Sequence, residues 1–186
     1  LVKRFTPVQI FKRFEEHTKL VVTVTATLIV SGALFFFVAE FKNAGTIGNL
    51  SLFDKTINSF FESITLRTAG FSSFPQENMT DFSCVMSYIL MFIGGSPIGT
   101  AGGVKTVTIF LALLNVISYI HDDDQSIIFN RRVTDESMRK ASVIVSVAAF
   151  AIVVLTLLLI VTNKVNMQDG LYEVISASAT VGLSRD

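Results

Sequence analysis

The most restrictive feature of the sequence is an apolar stretch, residues 82–120, whose thirty-nine residues include one charge, Lys105. A straight helix of that length would extend about 58 Å, whereas the hydrocarbon core of a bilayer is about 30 Å thick. The stretch is interrupted by a glycine-rich segment, residues 94–103, with the sequence GGSPIGTAGG. Five glycines and a proline in ten residues cannot hold an ordinary helix. The sequence therefore predicts an apolar helix that is broken at this segment.

Two further segments, residues 20–39 and 141–163, contain no charged residue and are long enough to cross a bilayer as helices. Only 16% of all residues are charged, compared with about 25% in soluble domains, and 51% are hydrophobic. These values indicate a membrane protein. The formal net charge is zero, which gives no support for nucleic-acid binding.

Shorter amphipathic pieces, residues 53–66 and 169–178, lie between the long apolar segments, and each precedes a Thr-x-Gly motif. FESI at 61–64 matches YEVI at 172–175 with an offset of 111, and TAGFS at 68–72 matches TVGLS at 180–184 with an offset of 112. We interpret both pieces as re-entrant half-helices. The predicted fold is an all-α membrane protein of repeated units: membrane helix, pore half-helix, filter loop and membrane helix.

The basic residues predict the topology. Residues 1–19 hold five of them and residues 121–140 hold four, whereas residues 40–81 hold three. By the positive-inside bias the first two segments are cytoplasmic and both Thr-x-Gly motifs open outward. The predicted organisation is a connector at 1–19, one unit at 20–120, a loop at 121–140 and an incomplete second unit at 141–186.

The repeated motif suits the binding of a dehydrated alkali cation, which needs several oxygen ligands and no trapping charge. Stacked backbone carbonyls provide them, as in the TVGYG loops of potassium channels, and glycine permits the required change of backbone handedness. Two ordinary outer loops are the alternative, but two copies after two half-helices favour a filter. The predicted potassium ligands belong to Thr68, Ala69, Gly70 and Phe71, and to Thr180, Val181, Gly182 and Leu183.

Three motifs in order, TLRTAGFS, GGSPIGTAGGVKT and EVISASATVGLS, resemble the membrane subunit of the Trk/Ktr/HKT potassium-uptake family, most closely the Ktr type. The resemblance implies four membrane–pore–membrane units around one pore, with the third and most of the fourth in this chain. Glycine at Gly70 and Gly182 implies potassium selectivity, since serine goes with sodium in plant relatives. Ala179 departs from the family pattern, where glycine is more frequent.

The same resemblance implies that the glycine-rich segment is an intramembrane gate. Its predicted residues are Gly94, Gly95, Ser96, Pro97, Gly99, Thr100, Ala101, Gly102, Gly103 and Lys105. Further implications are a cytoplasmic nucleotide-binding regulatory ring, a homodimer of the full membrane subunit, and a multi-pass location in a bacterial cell membrane. Whether sodium is also required stays open.

Several residues leave alternatives. Lys105 either contacts the gate or extends toward the cytoplasmic edge. Arg67 either binds a carboxylate such as Glu62 or Asp81, or faces outer solvent. GTAGGVKT at 99–106 departs from a phosphate loop because Val104 separates glycine from lysine. No catalytic constellation is present, so the sequence does not predict an enzyme. The rival functions are a two-span tetrameric potassium channel and a membrane anchor without transport.

Overall fold

The computed structural model describes residues 14–96, 101–121, 127–128 and 131–185. For residues 127, 128, 131 and 132 it describes the backbone only. The regular secondary structure of these residues is helical, apart from two short paired strands. The helices are α1 (Glu16–Glu40), α2 (Leu52–Thr65), α3 (Asp81–Phe92), α4 (Thr106–His121), α5 (Asp135–Asn163) and α6 (Met167–Ser178), with a 3₁₀ turn at Gln76–Asn78. The strands β1 (Ile127–Ile128) and β2 (Arg131–Arg132) pair antiparallel.

Two of these helices, α1 and α5, are long and apolar enough to cross a membrane. They contain the segments 20–39 and 141–163 for which the sequence predicts helices. Many large apolar side chains on them are exposed in the isolated chain, among them Val38, Phe150 and Val161. Such a surface suits contact with lipid or with further helices.

The amphipathic pieces form the short helices α2 and α6, close to the predicted bounds. The Ser51 hydroxyl begins α2 by accepting a hydrogen bond of 3.2 Å from the Asp54 N–H. Asn166 occupies the same position before α6 but makes no such side-chain bond. Each helix ends just before a Thr-x-Gly motif, so the helix ends determine where the motifs lie.

Close helix packing places α2 against α1. A Cβ on Gly32 would lie 2.4 Å from the Ser63 hydroxyl oxygen, so the absence of a side chain permits this approach. The Ser63 hydroxyl donates to the Ile29 carbonyl of α1 at 2.9 Å. The buried core continues between α3 and α6 behind both motifs, and its residues include Leu66, Leu90, Met91, Tyr172, Ile175 and Val181.

No described residue between Phe92 and Thr106 is helical. The two ends of this interval lie side by side, because Ile93 and Val104 form a parallel bridge and the Gly94 N–H donates to the Val104 carbonyl at 2.9 Å. The chain therefore returns on itself between α3 and α4. The predicted gate residues Pro97, Gly99 and Thr100 lie outside the described residues.

Candidate functional site

The Thr-x-Gly motifs form two loops in which the threonine and the glycine both have positive φ. The first loop, residues 68–71, has φ of 72° at Thr68 and 79° at Gly70. The second loop, residues 180–183, has φ of 55° at Thr180 and 88° at Gly182. A positive φ is uncommon for a β-branched residue and costs free energy, so its presence twice at matching threonines indicates a required conformation.

Each loop is held by the hydroxyl of a residue near the end of the preceding helix. The Thr65 hydroxyl accepts from the Phe71 N–H at 2.8 Å and donates to the Phe71 carbonyl at 2.6 Å. At the matching position, the Ser176 hydroxyl donates to the Leu183 carbonyl at 2.6 Å. Both contacts anchor the far end of a loop to its own helix.

The helix backbone anchors the near ends of the loops in the same way. The Ala69 N–H donates to the Thr65 carbonyl at 3.0 Å, and the Val181 N–H donates to the Ser176 carbonyl at 2.8 Å. Six carbonyl oxygens between these anchors accept no hydrogen bond from any described residue: those of Thr68, Ala69, Gly70, Thr180, Val181 and Gly182. Ala69, Thr180 and Gly182 are exposed in the isolated chain, so these oxygens are open to water or to a cation, which backbone carbonyls bind in ion filters.

The two loops touch each other directly. A Cβ on Gly70 would lie 2.0 Å from the Val181 carbonyl oxygen. No real Cβ tolerates that distance, and the colliding atom belongs to the backbone, so glycine is required at this position. The Gly182 position differs, because no described atom lies within 4 Å of a Cβ built there.

The glycine-rich segment packs against the threonine ends of both loops. A Cβ on Gly102 would lie 2.3 Å from the Thr180 hydroxyl oxygen and 2.4 Å from the Ala179 carbonyl oxygen. On the other side, a Cβ on Gly95 would lie 3.8 Å from the Thr68 hydroxyl oxygen. The structure thus brings the described part of the predicted gate beneath the predicted filter.

Two cationic side chains donate to carbonyls of this segment. The half-buried Arg67 guanidinium donates from Nη2 to the Gly94 carbonyl at 3.2 Å, while its buried Nε has no partner among the described residues. The Lys105 ammonium donates to the Ala101 carbonyl. The expected carboxylate partner for Arg67 is not found among the described residues: its guanidinium contacts a backbone carbonyl, and the side chain is partly exposed.

At their serine ends the loops border an open cavity of about 320 Å³. Its lining combines loop residues with the chain that follows the first loop: Gly70, Ser72, Gln76, Glu77, Gly182 and Ser184. This cavity lies on the side of the loops opposite their contacts with the glycine-rich segment.

The matching carboxyl groups of the two short helices have different surroundings. Glu62 of α2 is fully buried, and its Oε2 accepts one hydrogen bond of 3.4 Å from Gln76. Burial raises the pKa of the Glu62 carboxyl to about 8, with repulsion from Glu40 acting in the same direction and the Gln76 bond opposing it. Glu173 of α6 instead accepts from the Ser184 hydroxyl at 2.7 Å and from the Arg185 N–H at 2.9 Å.

Sequence reasoning missed several residues that organise the site. Arg185 binds Asp169 at 3.0 Å and the Cys84 sulfur at 3.1 Å, which ties the end of the second loop to α6 and α3. Thr65 and Ser176 could have been found, because they are separated by the same offset of 111 as the FESI and YEVI segments. Gln76 lies outside the repeat, and nothing in the sequence points to it.

Comparison with known proteins identifies the family to which the chain is related. The TrkH family model, described as a cation transport protein, matches residues 15–185. The Ktr system potassium uptake protein B of Bacillus subtilis is 34% identical over 174 residues, which are 94% of this chain and 39% of that protein. The protein of the same name from Vibrio alginolyticus is 30% identical, over 90% of this chain and 37% of that protein.

A third relative is the potassium/sodium uptake protein NtpJ of Enterococcus hirae, which is 30% identical over 93% of this chain and 39% of that protein. The chain thus spans less than two fifths of the length of these relatives. The family is one of cation transporters, and the two long apolar helices of this chain suit a membrane location. The helical fold and the match over residues 15–185 establish that this chain belongs to the TrkH family of cation transport proteins.

Proposed function

We propose that this chain forms part of a potassium-selective filter in a membrane transporter. The observation that carries the proposal is the row of six carbonyl oxygens without a donor, on two loops that touch at Gly70 and Val181. These oxygens would replace part of the hydration shell of a potassium ion. The hydroxyls of Thr65 and Ser176 hold the far ends of the loops and so keep the row in place.

The proposed organisation is that of two pore units. Residues 20–120 form the third unit and residues 141–186 most of the fourth, joined by a cytoplasmic loop at 121–140 and preceded by a connector at 1–19. In each unit a re-entrant half-helix, α2 or α6, leads into a filter loop. Their carboxyl ends point toward the loops, so the partial negative charge of the helix dipole favours a cation nearby.

We further propose that the glycine-rich segment gates the pore. The described part of this segment lies against the threonine ends of both loops, where a passing ion would have to meet it. The contacts of Arg67 with Gly94 and of Lys105 with Ala101 hold it there. The interval between α3 and α4 would then be the break in a single membrane-crossing helix.

Potassium is the proposed transported ion, because both filter positions are glycine and two relatives are named potassium uptake proteins. The name of a third relative includes sodium, so a sodium requirement is part of what transport assays should examine. The word "system" in the names of the Ktr relatives supports a multi-component assembly. We propose a homodimer of the full subunit on a cytoplasmic nucleotide-binding ring.

The test is rubidium uptake by the full-length protein in liposomes, with Gly70→Ser and Gly182→Ser compared singly. We expect Gly70→Ser to abolish rubidium flux, because its Cβ would lie 2.0 Å from the Val181 carbonyl oxygen, and Gly182→Ser to lower the preference for rubidium over sodium. Gly170→Ser is the matched control, because a Cβ on this helical glycine would make an ordinary contact of 3.4 Å with the Ile160 side chain. Unchanged flux and cation preference in both loop variants would refute the filter assignment.

A further inference from the structure

A buried chain of polar side chains connects the two half-helices behind the loops. The Tyr172 hydroxyl of α6 donates to Gln76 Oε1 at 2.8 Å, and Gln76 Nε2 donates to Glu62 Oε2 of α2 at 3.4 Å. All three side chains are buried, with exposed fractions of 0%, 4% and 0% for Tyr172, Gln76 and Glu62. The same Gln76 amide also donates to the Phe74 carbonyl at 3.3 Å, just beyond the first loop.

The surroundings of Glu62 suit a neutral carboxyl group. Its Oε1 is buried without a partner among the described residues, and no described cation lies within ion-pair distance of either oxygen. An ionised carboxylate in the protein interior, with one long hydrogen bond and no cation, carries a large desolvation cost. The raised pKa of Glu62 agrees with this reading.

The titratable groups near Tyr172, Gln76 and Glu62 do not favour an ionised Glu62. Glu40 at the end of α1 repels a negative charge on Glu62. The groups acting electrostatically on Tyr172 are Glu62 itself, Cys84 of α3, Glu173 of α6 and Arg185. Arg185 is engaged with Asp169 at 3.0 Å and does not act on Glu62.

Glu173, the counterpart of Glu62, provides a natural contrast. It receives two hydrogen bonds shorter than 3.0 Å, from the Ser184 hydroxyl and the Arg185 N–H, and both donors belong to the chain after the second loop. The repeat therefore places a carboxyl group with one long hydrogen bond behind the first loop and a carboxyl group with two short hydrogen bonds behind the second.

We propose that Glu62 is a positioning residue of the filter, and that its neutral form, through Gln76 and Tyr172, holds the two loops at the spacing that selects the ion. Ionisation would place a charge in the interior near Glu40 and draw the Gln76 amide away from Tyr172. The loops would then lose the hydrogen-bonded connection between α2 and α6. This inference rests on the proposed filter function.

The pH dependence has a definite sign. The fold favours the protonated form of Glu62, so the stabilisation of that form is complete at low pH and is lost as pH rises through about 8. We therefore expect cation selectivity to be constant at neutral pH and to fall on the alkaline side. Glu173 is the matched control, because it takes no part in the hydrogen bonds that join Tyr172, Gln76 and Glu62.

The test compares Glu62→Gln, Glu62→Ala and Glu173→Gln in the full-length protein, with the rubidium-over-sodium preference measured in liposomes from about pH 6.5 to about pH 9. Glutamine has the shape of a neutral carboxyl and cannot ionise. At neutral pH we expect Glu62→Ala to lower the preference about tenfold and Glu62→Gln to restore most of it. The alkaline fall should disappear in Glu62→Gln and persist in Glu173→Gln.

Either of two results with Glu62→Gln would overturn the inference. One is an unchanged alkaline fall in the rubidium preference. The other is a loss of that preference at neutral pH as large as the loss in Glu62→Ala. If Glu62→Ala does not fold, the pH profile of Glu62→Gln decides alone. Tyr172→Phe removes only the hydroxyl and breaks the same connection, so it should lower the preference at neutral pH and leave little further alkaline fall. Gly70→Ser separates the two proposals, because it tests the filter assignment and leaves Glu62 intact.

Discussion

The two loops after α2 and α6 share a backbone conformation but differ in their surroundings. Both have positive φ at threonine and at glycine, and both are anchored by a helix hydroxyl. The first loop is confined, because Gly70 faces the Val181 carbonyl, whereas no described atom crowds Gly182. The shared features, positive φ and a hydroxyl anchor, are those that the loop conformation itself requires. The crowding at Gly70 depends instead on the neighbouring loop.

The largest expected effect is a difference between alanine substitutions at the two glycines. Gly70→Ala should abolish measurable rubidium flux, since its Cβ would collide with a backbone oxygen at 2.0 Å in addition to adopting a positive φ. Gly182→Ala should carry only the cost of left-handed backbone, about 1–2 kcal/mol. Flux assays and thermal unfolding of both full-length variants measure the difference. Equal loss in both would show that the contact between the loops is unimportant.

A smaller difference is expected between the two hydroxyl anchors. Thr65→Val removes two hydrogen bonds to Phe71, whereas Ser176→Ala removes one to Leu183. Each buried group left unpaired costs about 1–3 kcal/mol, so Thr65→Val should lower the unfolding midpoint and the cation preference more than Ser176→Ala. The reverse order would contradict the assignment of Thr65 as the stronger anchor.

The first loop also differs from the second in its cationic contact with the glycine-rich segment. Arg67→Met keeps much of the side-chain length but removes the donor to the Gly94 carbonyl. We expect flux under closed conditions to rise several-fold, because a hydrogen bond from a charged group contributes about 1.5–3 kcal/mol. Single-channel or tracer-leak measurements test this, with Arg67→Lys as the variant that retains a donor. A leak unchanged in Arg67→Met would remove Arg67 from the gate.

The smallest expected effect concerns the start of the two half-helices. Ser51→Ala removes the capping bond to the Asp54 N–H and should destabilise the protein by about 1 kcal/mol. Asn166→Ala removes no capping bond and should change the unfolding midpoint less. Denaturant unfolding in detergent provides the measurement. An equal shift for both would mean that capping does not distinguish α2 from α6.

Local sequence patterns were sufficient to predict the helices and the loops they precede. The segment FDKTINSFFESITL has a helical spacing of apolar residues, and its end places the Thr68 motif where the structure has it. The matching offsets of 111 and 112 predicted that Gly182 would be the equivalent of Gly70, and their backbones agree. These features depend on residues close together in the chain.

The contacts that organise the site depend instead on residues far apart. The bond between Tyr172 and Gln76 spans 96 positions, and Arg67 reaches Gly94 across the interval that contains α3. For Arg67 the sequence left a carboxylate partner and outer solvent as alternatives. The actual partner is a backbone carbonyl. Every residue has one, so the sequence does not indicate which carbonyl Arg67 contacts. Tertiary packing, which a local pattern does not encode, decided the outcome.

The central claim is that carbonyls of the two loops bind the transported ion. Its most direct test is the structure of the full-length protein in rubidium or thallium, with ion density located from anomalous scattering. We predict density between the two loops, within coordination distance of the free carbonyl oxygens of residues 68–70 and 180–182. Ion density elsewhere in the pore, with none between these loops, would contradict the account.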